Sequence, residues 1–89
     1  MITRAATVQN AWGIHCRPSS LIAQEARLYE GTITVHRGTC HANARSVLEL
    51  VGLALGPGHG ISITVEGPDE VAMAERFVAL FEKHFDFSH

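Results

Sequence analysis

The chain opens on Thr3-Arg4-Ala5-Ala6-Thr7-Val8, β-compatible and partly alternating, which predicts a strand. Gln9 to Gly13 reads as a loop, with Asn10 and Gly13 as breakers. From Arg17 the spacing becomes helical. Leu21, Ile22, Ala26 and Leu28 form one broad apolar face, Gln24, Glu25 and Arg27 are polar, and Gly31 is placed to stop the helix. Thr32-Ile33-Thr34-Val35-His36 then alternates strictly, with Ile33 and Val35 inward. Arg37-Gly38 suits a tight turn, and Thr39 to Ala44 returns as a second strand of a hairpin. Ser46-Val47-Leu48-Glu49 has the capping-box pattern and opens a short helix running to Leu53 or Leu55. Gly56-Pro57-Gly58-His59-Gly60 holds no regular element. Ile61 to Glu66 is the cleanest alternating strand. Gly67-Pro68-Asp69-Glu70 starts a last helix whose buried face is Val71, Ala74, Phe77, Val78, Phe81 and Phe85, with Glu75, Arg76, Glu82 and Lys83 outside.

The order is therefore β-α-β-β-α-β-α. At 89 residues, four strands and their helices can bury only one face of a sheet. The expected fold class is α/β (α+β): an open-faced β-sandwich, a four-stranded antiparallel sheet covered on one face by three helices. Residues 1–89 are expected to form a single domain, without repeats or linkers.

Composition narrows the function. Hydrophobic residues are 46% and charged residues 18%, a globular balance. Seven basic against nine acidic residues give a formal net charge of -2, which disfavours a nucleic-acid binder. No apolar run is long enough to span a bilayer, and MITRAATV lacks the layout of a signal peptide. A cytoplasmic monomer without membrane insertion is the expectation. Cys16 and Cys40 do not make a disulfide framework, and the six histidines show no zinc-finger spacing.

The chemistry concentrates in Gly13-Ile14-His15-Cys16-Arg17-Pro18-Ser19-Ser20. His15 falls where loop meets helix, and Pro18 suits a first turn. Free N–H groups at a helix start, with the helix dipole, favour an anion. Arg17 adds a planar fork of donors that matches phosphate oxygens. A histidine there is kept neutral and nucleophilic, and backbone donors stabilise a phosphoryl group added to it. The bland alternative is a histidine beside a surface arginine, acting as a mediocre N-cap. No Walker loop or magnesium site is present, so the chain could hold a phosphoryl group but not draw one from ATP. Cys16 shares the helix start with Arg17, features that lower a thiol's pKa. Cys40 lacks them, although a free cysteine is more usually buried and inert.

Gly-Ile-His-Cys-Arg-Pro at 13 to 18 resembles the active-site signature of the HPr family, the histidine-containing phosphocarriers of the bacterial phosphotransferase system. The resemblance extends over the helix after the motif, the hairpin at Arg37-Gly38, the Arg45-Ser46 junction and the closing strand and helix. It implies that His15 accepts a phosphoryl group on Nδ1 from phosphorylated Enzyme I and passes it to a histidine of an Enzyme II A-type domain. Arg17 would neutralise the phosphate. No cofactor is implied, and the protein would be a carrier in a relay without turnover of its own. Ser46 would be a regulatory serine, a substrate of HPr kinase/phosphorylase, although as a residue it is also a plain cap. Cys16 and Ser19 depart from the small residue and the alanine usual at these positions. The tail Phe81 to Asp86 is closer to the nitrogen-related paralogue, whereas Arg45-Ser46 favours the kinase-regulated forms.

Val47, Leu48 and Val51 cannot all be buried on so short a helix, and an exposed apolar patch suggests a partner surface. Ser20, Leu21 and Gln24 would flank it. Two other classes compete. One is a regulatory HPr-like interaction module, in nitrogen-related or carbon-catabolite signalling, with little sugar-transport role. The other is a metal-binding protein using His15-Cys16 and Cys40-His41, although adjacent strand residues face opposite sides and no known ligand spacing is present. No metal ligand is therefore assigned.

Overall fold

The computed structural model describes residues 1–8, 16–53, 56 and 58–82, and among these the side chains of all but 16–18. The elements run β1 (Ile2–Thr7), α1 (Cys16–Arg27), β2 (Thr32–Arg37), β3 (Cys40–Asn43), α2 (Val47–Gly52), β4 (Gly60–Glu66) and α3 (Glu70–Glu82). The strands form one antiparallel sheet in the order β1-β4-β2-β3. The expected fold class is the observed one.

Alternation places Ile33, Val35, Ala42, Ile61, Ile63 and Val65 on the covered face, all buried. Against them pack Ile22, Ala23 and Ala26 of α1, Leu50 of α2, and Ala74, Phe77 and Phe81 of α3. The other face of the sheet stays open and polar. Val8, expected as the last residue of the first strand, lies just past it but remains buried. Its N–H donates to the His59 carbonyl at 3.0 Å and its carbonyl accepts from Gly58 N at 2.8 Å. Gly60, expected in the loop, opens β4. The hairpin turn is Gly38-Thr39 rather than Arg37-Gly38, with Gly38 at φ 59, so Thr39 and Ala44 lie outside β3.

Three apolar expectations need correction. In α1 the buried stripe is Ser19, Ile22, Ala23 and Ala26, at helical spacing, and Leu21 sits beside it, 40% exposed. The helix ends at Arg27. Leu28 N–H and Tyr29 N–H then bond three residues back, to Glu25 and Ala26. That tighter turn swings Leu28 outward, 78% exposed, and brings Tyr29 in. In α3 the buried stripe begins at Ala74, so Val71 in the first turn is half exposed, while Val78 packs partly against the core. Phe85, Lys83, Leu55 and the 9–13 loop lie outside the described residues.

Gly31 is not a left-handed helix stop. A Cβ there would run into the Glu66 carbonyl and come within 2.7 Å of the Tyr29 ring and 2.9 Å of Gly67 Cα. The sequence position is glycine because two chain segments pass too closely for any side chain. Gly67, at φ 148, is the other half of that crossing. Pro68 precedes α3 rather than joining its first turn, and Asp69 takes φ 49 before offering its carbonyl to Met73 N–H at 2.9 Å. Tyr29 Oη donates to the Pro68 carbonyl at 2.7 Å and ties α1 to this bend. Burial, and then the carboxylates of Glu70 and Asp69, push the Tyr29 hydroxyl above its ordinary pKa. Glu70 accepts from the Met1 ammonium at 2.9 Å and from Gly67 N–H at 3.3 Å, and both bonds hold its carboxyl below the usual range against a smaller opposing effect of burial.

Candidate functional site

α1 begins at Cys16, directly after His15 in the chain, with Pro18 in its first turn. That turn contains no acidic residue, so nothing within it offsets the positive end of a 12-residue helix. His15 itself lies outside the described residues, as do the side chains of Cys16, Arg17 and Pro18. Ser19 is fully buried, and its hydroxyl has no hydrogen-bond partner among the described residues.

Beyond this helix start, α1 presents Ser20, Leu21 and Gln24 to solvent. α2 packs beside α1 and against β3. Of its apolar residues, Leu50 is buried, Val47 and Val51 are half-buried, and Leu48 is 86% exposed. A leucine so exposed contributes nothing to the core. Leu21 on α1 is the other large apolar side chain of the expected patch that lies in the open.

Ser46 is the N-cap of α2, with extended backbone, and its Oγ accepts from Glu49 N–H at 3.2 Å. The reciprocal half of the expected capping box is absent. The Glu49 carboxylate instead accepts from Asn43 N–H at 3.1 Å, while Ser46 N–H donates to the Asn43 carbonyl at 2.9 Å. Glu49 thus fastens α2 to the end of the hairpin rather than to its own cap.

Arg45 locks the arrangement from the other side. Its Nη2 donates to the carbonyls of Tyr29 at 2.5 Å and Gly31 at 3.0 Å, and its Nε to Ala26 at 3.3 Å. Tyr29 and Gly31 follow the end of α1, and Ala26, whose carbonyl also accepts from Tyr29 N–H, lies in its last turn, so a cation there suits the helix dipole. Ser46 is therefore held relative to α1 by its immediate neighbour. At the far end of α2, Arg37 Nη1 donates to the Leu53 carbonyl at 2.6 Å. Sequence reasoning reached Arg45 only through a resemblance and missed Arg37 and Asn43. The carbonyl partners of Arg37 and Arg45 lie far along the chain, where no local spacing announces them, whereas Asn43 bonds to Arg45, Ser46 and Glu49, two to six residues on.

The His/Cys metal alternative gains no support. Cys40 is a free, exposed thiol on β3 and His41 follows it on the opposite face. Among the described residues no group of three or more His, Cys, Asp or Glu side chains is placed to hold an ion. The His15-Cys16 pair lies outside the described side chains. Among the described residues, no helix is long and apolar enough to cross a membrane.

The sequence and fold were compared with known proteins. A family model described as the PTS HPr component phosphorylation site matches residues 2–83. The chain is 36% identical over 86 residues to the phosphocarrier protein HPr of Treponema pallidum, covering 97% of this chain and 98% of the relative. It is 32% identical over 83 residues to the HPr-like protein Crh of Halalkalibacterium halodurans, covering 93% and 99%. The crystal structure of a phosphocarrier protein HPr from Bacillus anthracis superposes with a TM-score of 0.86 at 30% identity, covering 91% of this chain and 96% of that one.

Proposed function

The chain belongs to the HPr family of phosphotransferase-system phosphocarriers, and from that premise we propose that His15 is its phosphoryl acceptor. In this reading Nδ1 of His15 attacks the phosphoryl group on Enzyme I. The N–P bond on Enzyme I breaks as the new one forms, and the reverse exchange delivers the group to a histidine of an Enzyme II A-type domain. Transfer of this kind rests on in-line positioning and charge stabilisation rather than on covalent help from the carrier. The α1 start supplies backbone donors and an unopposed dipole, and the Arg17 guanidinium supplies the bidentate counter-charge.

The observation that carries this reading is the conjunction of His15-Cys16-Arg17-Pro18 with a helix that begins at Cys16 without acids in its first turn. Ser20, Leu21, Gln24, Val47, Leu48 and Val51 form the surface offered to both partners. Ser46, at the edge of that surface, is its regulatory position. A phosphate there would sit on the N-terminus of α2, where its charge is tolerated locally but alters the face presented to Enzyme I. HPr kinase/phosphorylase is the partner this implies. Residues 1–89 act as one domain, in the cytoplasm, as a monomer.

The test is a chase. Protein phosphorylated by Enzyme I and phosphoenolpyruvate is isolated and mixed with an Enzyme II A-type domain, and loss of label from one is matched to gain in the other. Quantitative transfer is expected. Protein that accepts label but never passes it on would instead fit the regulatory interaction module weighed from sequence.

A further inference from the structure

We propose that the open face of the sheet carries a two-point site for a divalent transition-metal ion, formed by His36 of β2 and His41 of β3. The two are directly opposed in the hairpin. Gly38-Thr39 is a two-residue turn, so Arg37 and Cys40 beside it form a hydrogen-bonded pair and His36 with His41 the next, non-hydrogen-bonded pair. At such pairs the Cα atoms stand about 4.5 Å apart and the side chains lie closest. The two imidazole centroids are 6.3 Å apart, with the planes 43° from parallel. An ion about 2.1 Å from one nitrogen of each ring, at a near-tetrahedral angle, needs centroids roughly 5 Å apart. A modest rotation of the exposed His41 side chain closes that gap.

The surroundings favour this chemistry. His36 Nε2 lies 3.3 Å from Thr64 Oγ1, which in turn lies 3.1 Å from Thr3 Oγ1. With Nε2–H donating along this hydroxyl chain, Nδ1 carries the lone pair and the ring is oriented, as it is in histidines that bind metal. The neighbours on the same face, Thr34, Asn43 and Ser62, are neutral. Imidazole ligands without carboxylates select Zn²⁺, Ni²⁺ or Cu²⁺ over Mg²⁺ or Ca²⁺. Two protein ligands leave the other positions to water, so the site exchanges freely with solution. It differs from the His15-Cys16 and Cys40-His41 pairings weighed from sequence, and Cys40 points to the other face. It also lies on the face away from the helices, so it stands or falls independently of His15.

The test is a titration of metal-free, full-length protein with Ni²⁺, followed by NMR line broadening and calorimetry. Resonances of His36, His41 and their strand neighbours should broaden first. His36→Gln and His41→Gln should each weaken that binding at least tenfold, because either loss abolishes chelation, and the double variant should show no binding at this face. Both positions are at the open face, and circular dichroism checks that the variants stay folded. His36→Thr and His41→Thr, with better strand formers, repeat the test if they do not. First broadening at His59 or any other histidine, or a loss smaller than tenfold in the single variants, would overturn the site.

Discussion

Arg45 Nη2 donates to the carbonyl of Tyr29 at 2.5 Å, so the residue beside the α2 cap closes the end of the helix that starts next to His15. One side chain thereby fixes the two helices of the candidate partner surface relative to each other. Arg45→Ala should cost about 2 kcal/mol, from charge-assisted bonds lost and acceptors left open. Arg45→Lys should recover only part of it, since one ammonium lacks the planar spread of the Nε and Nη2 donors that reach the three carbonyls. Urea denaturation of the two variants measures both. Equal stability of Arg45→Ala and the parent would show that water replaces the guanidinium without loss.

Gly31→Ala tests the close crossing of the segment after α1 and the bend before α3. The added methyl meets the Glu66 carbonyl, a backbone atom that cannot swing away. A loss of about 2 kcal/mol is expected, in the range for overpacking. A change below about 0.5 kcal/mol in the same denaturation assay, typical of an open surface site, would contradict the crossing.

Stability should fall on the alkaline side through Tyr29. Its folded pKa is raised above 10.0, so the neutral phenol is fully compatible with the fold below that pH. Above it the unfolded chain ionises first, and stability drops as pH rises towards the folded value. Tyr29→Phe should flatten this limb while lowering the neutral-pH melting midpoint, because the bond to Pro68 is lost. The acid limb has the opposite sign. Glu70, with its pKa lowered, stabilises above the ordinary carboxylate range and loses that contribution as pH falls below about 4.5, and Glu70→Gln should remove it. Melting curves across pH read both.

The proposed partner surface separates from the scaffold by mutation. Leu48→Ser should change stability by no more than about 0.5 kcal/mol, because the side chain is exposed, yet slow phosphorylation by Enzyme I. Ser46→Ala should cost about 1 kcal/mol through the lost cap. Ser46→Asp keeps a capping oxygen and should stay folded but accept phosphate poorly. A Ser46→Asp protein that melts early while its folded fraction is phosphorylated normally would make Ser46 a cap and nothing more.

The order of elements and the identity of the covered sheet face were legible because period-2 alternation in Ile33-Val35 and Ile61-Ile63-Val65 is a strong local signal. Helix ends were not. Leu28 keeps the helical spacing but lies beyond a tightened last turn, and Tyr29 is buried in its place. Gly31 reads locally as a stop, yet its reason is Glu66, distant in the chain. The capping box misled for a similar cause: Glu49 has two amides within reach, and the end of the hairpin supplies the one it takes. At the candidate site, the residues 15 to 18 carry their meaning in sequence, whereas the work of Arg45 and Arg37 depends on carbonyls that only the folded chain brings near. The cross-strand pairing of His36 with His41 was implicit in the hairpin but attracts notice only once the turn is placed at Gly38-Thr39.

His15 is the proposed phosphoryl acceptor. The most direct measurement is incubation of the parent and His15→Ala with Enzyme I and phosphoenolpyruvate, followed by peptide mapping of the acid-labile phosphate. One labelled site is expected in the parent, on His15, and no label in a His15→Ala protein whose circular dichroism is unchanged. Label of equal extent in His15→Ala, or label in the parent mapped to another histidine, would contradict it.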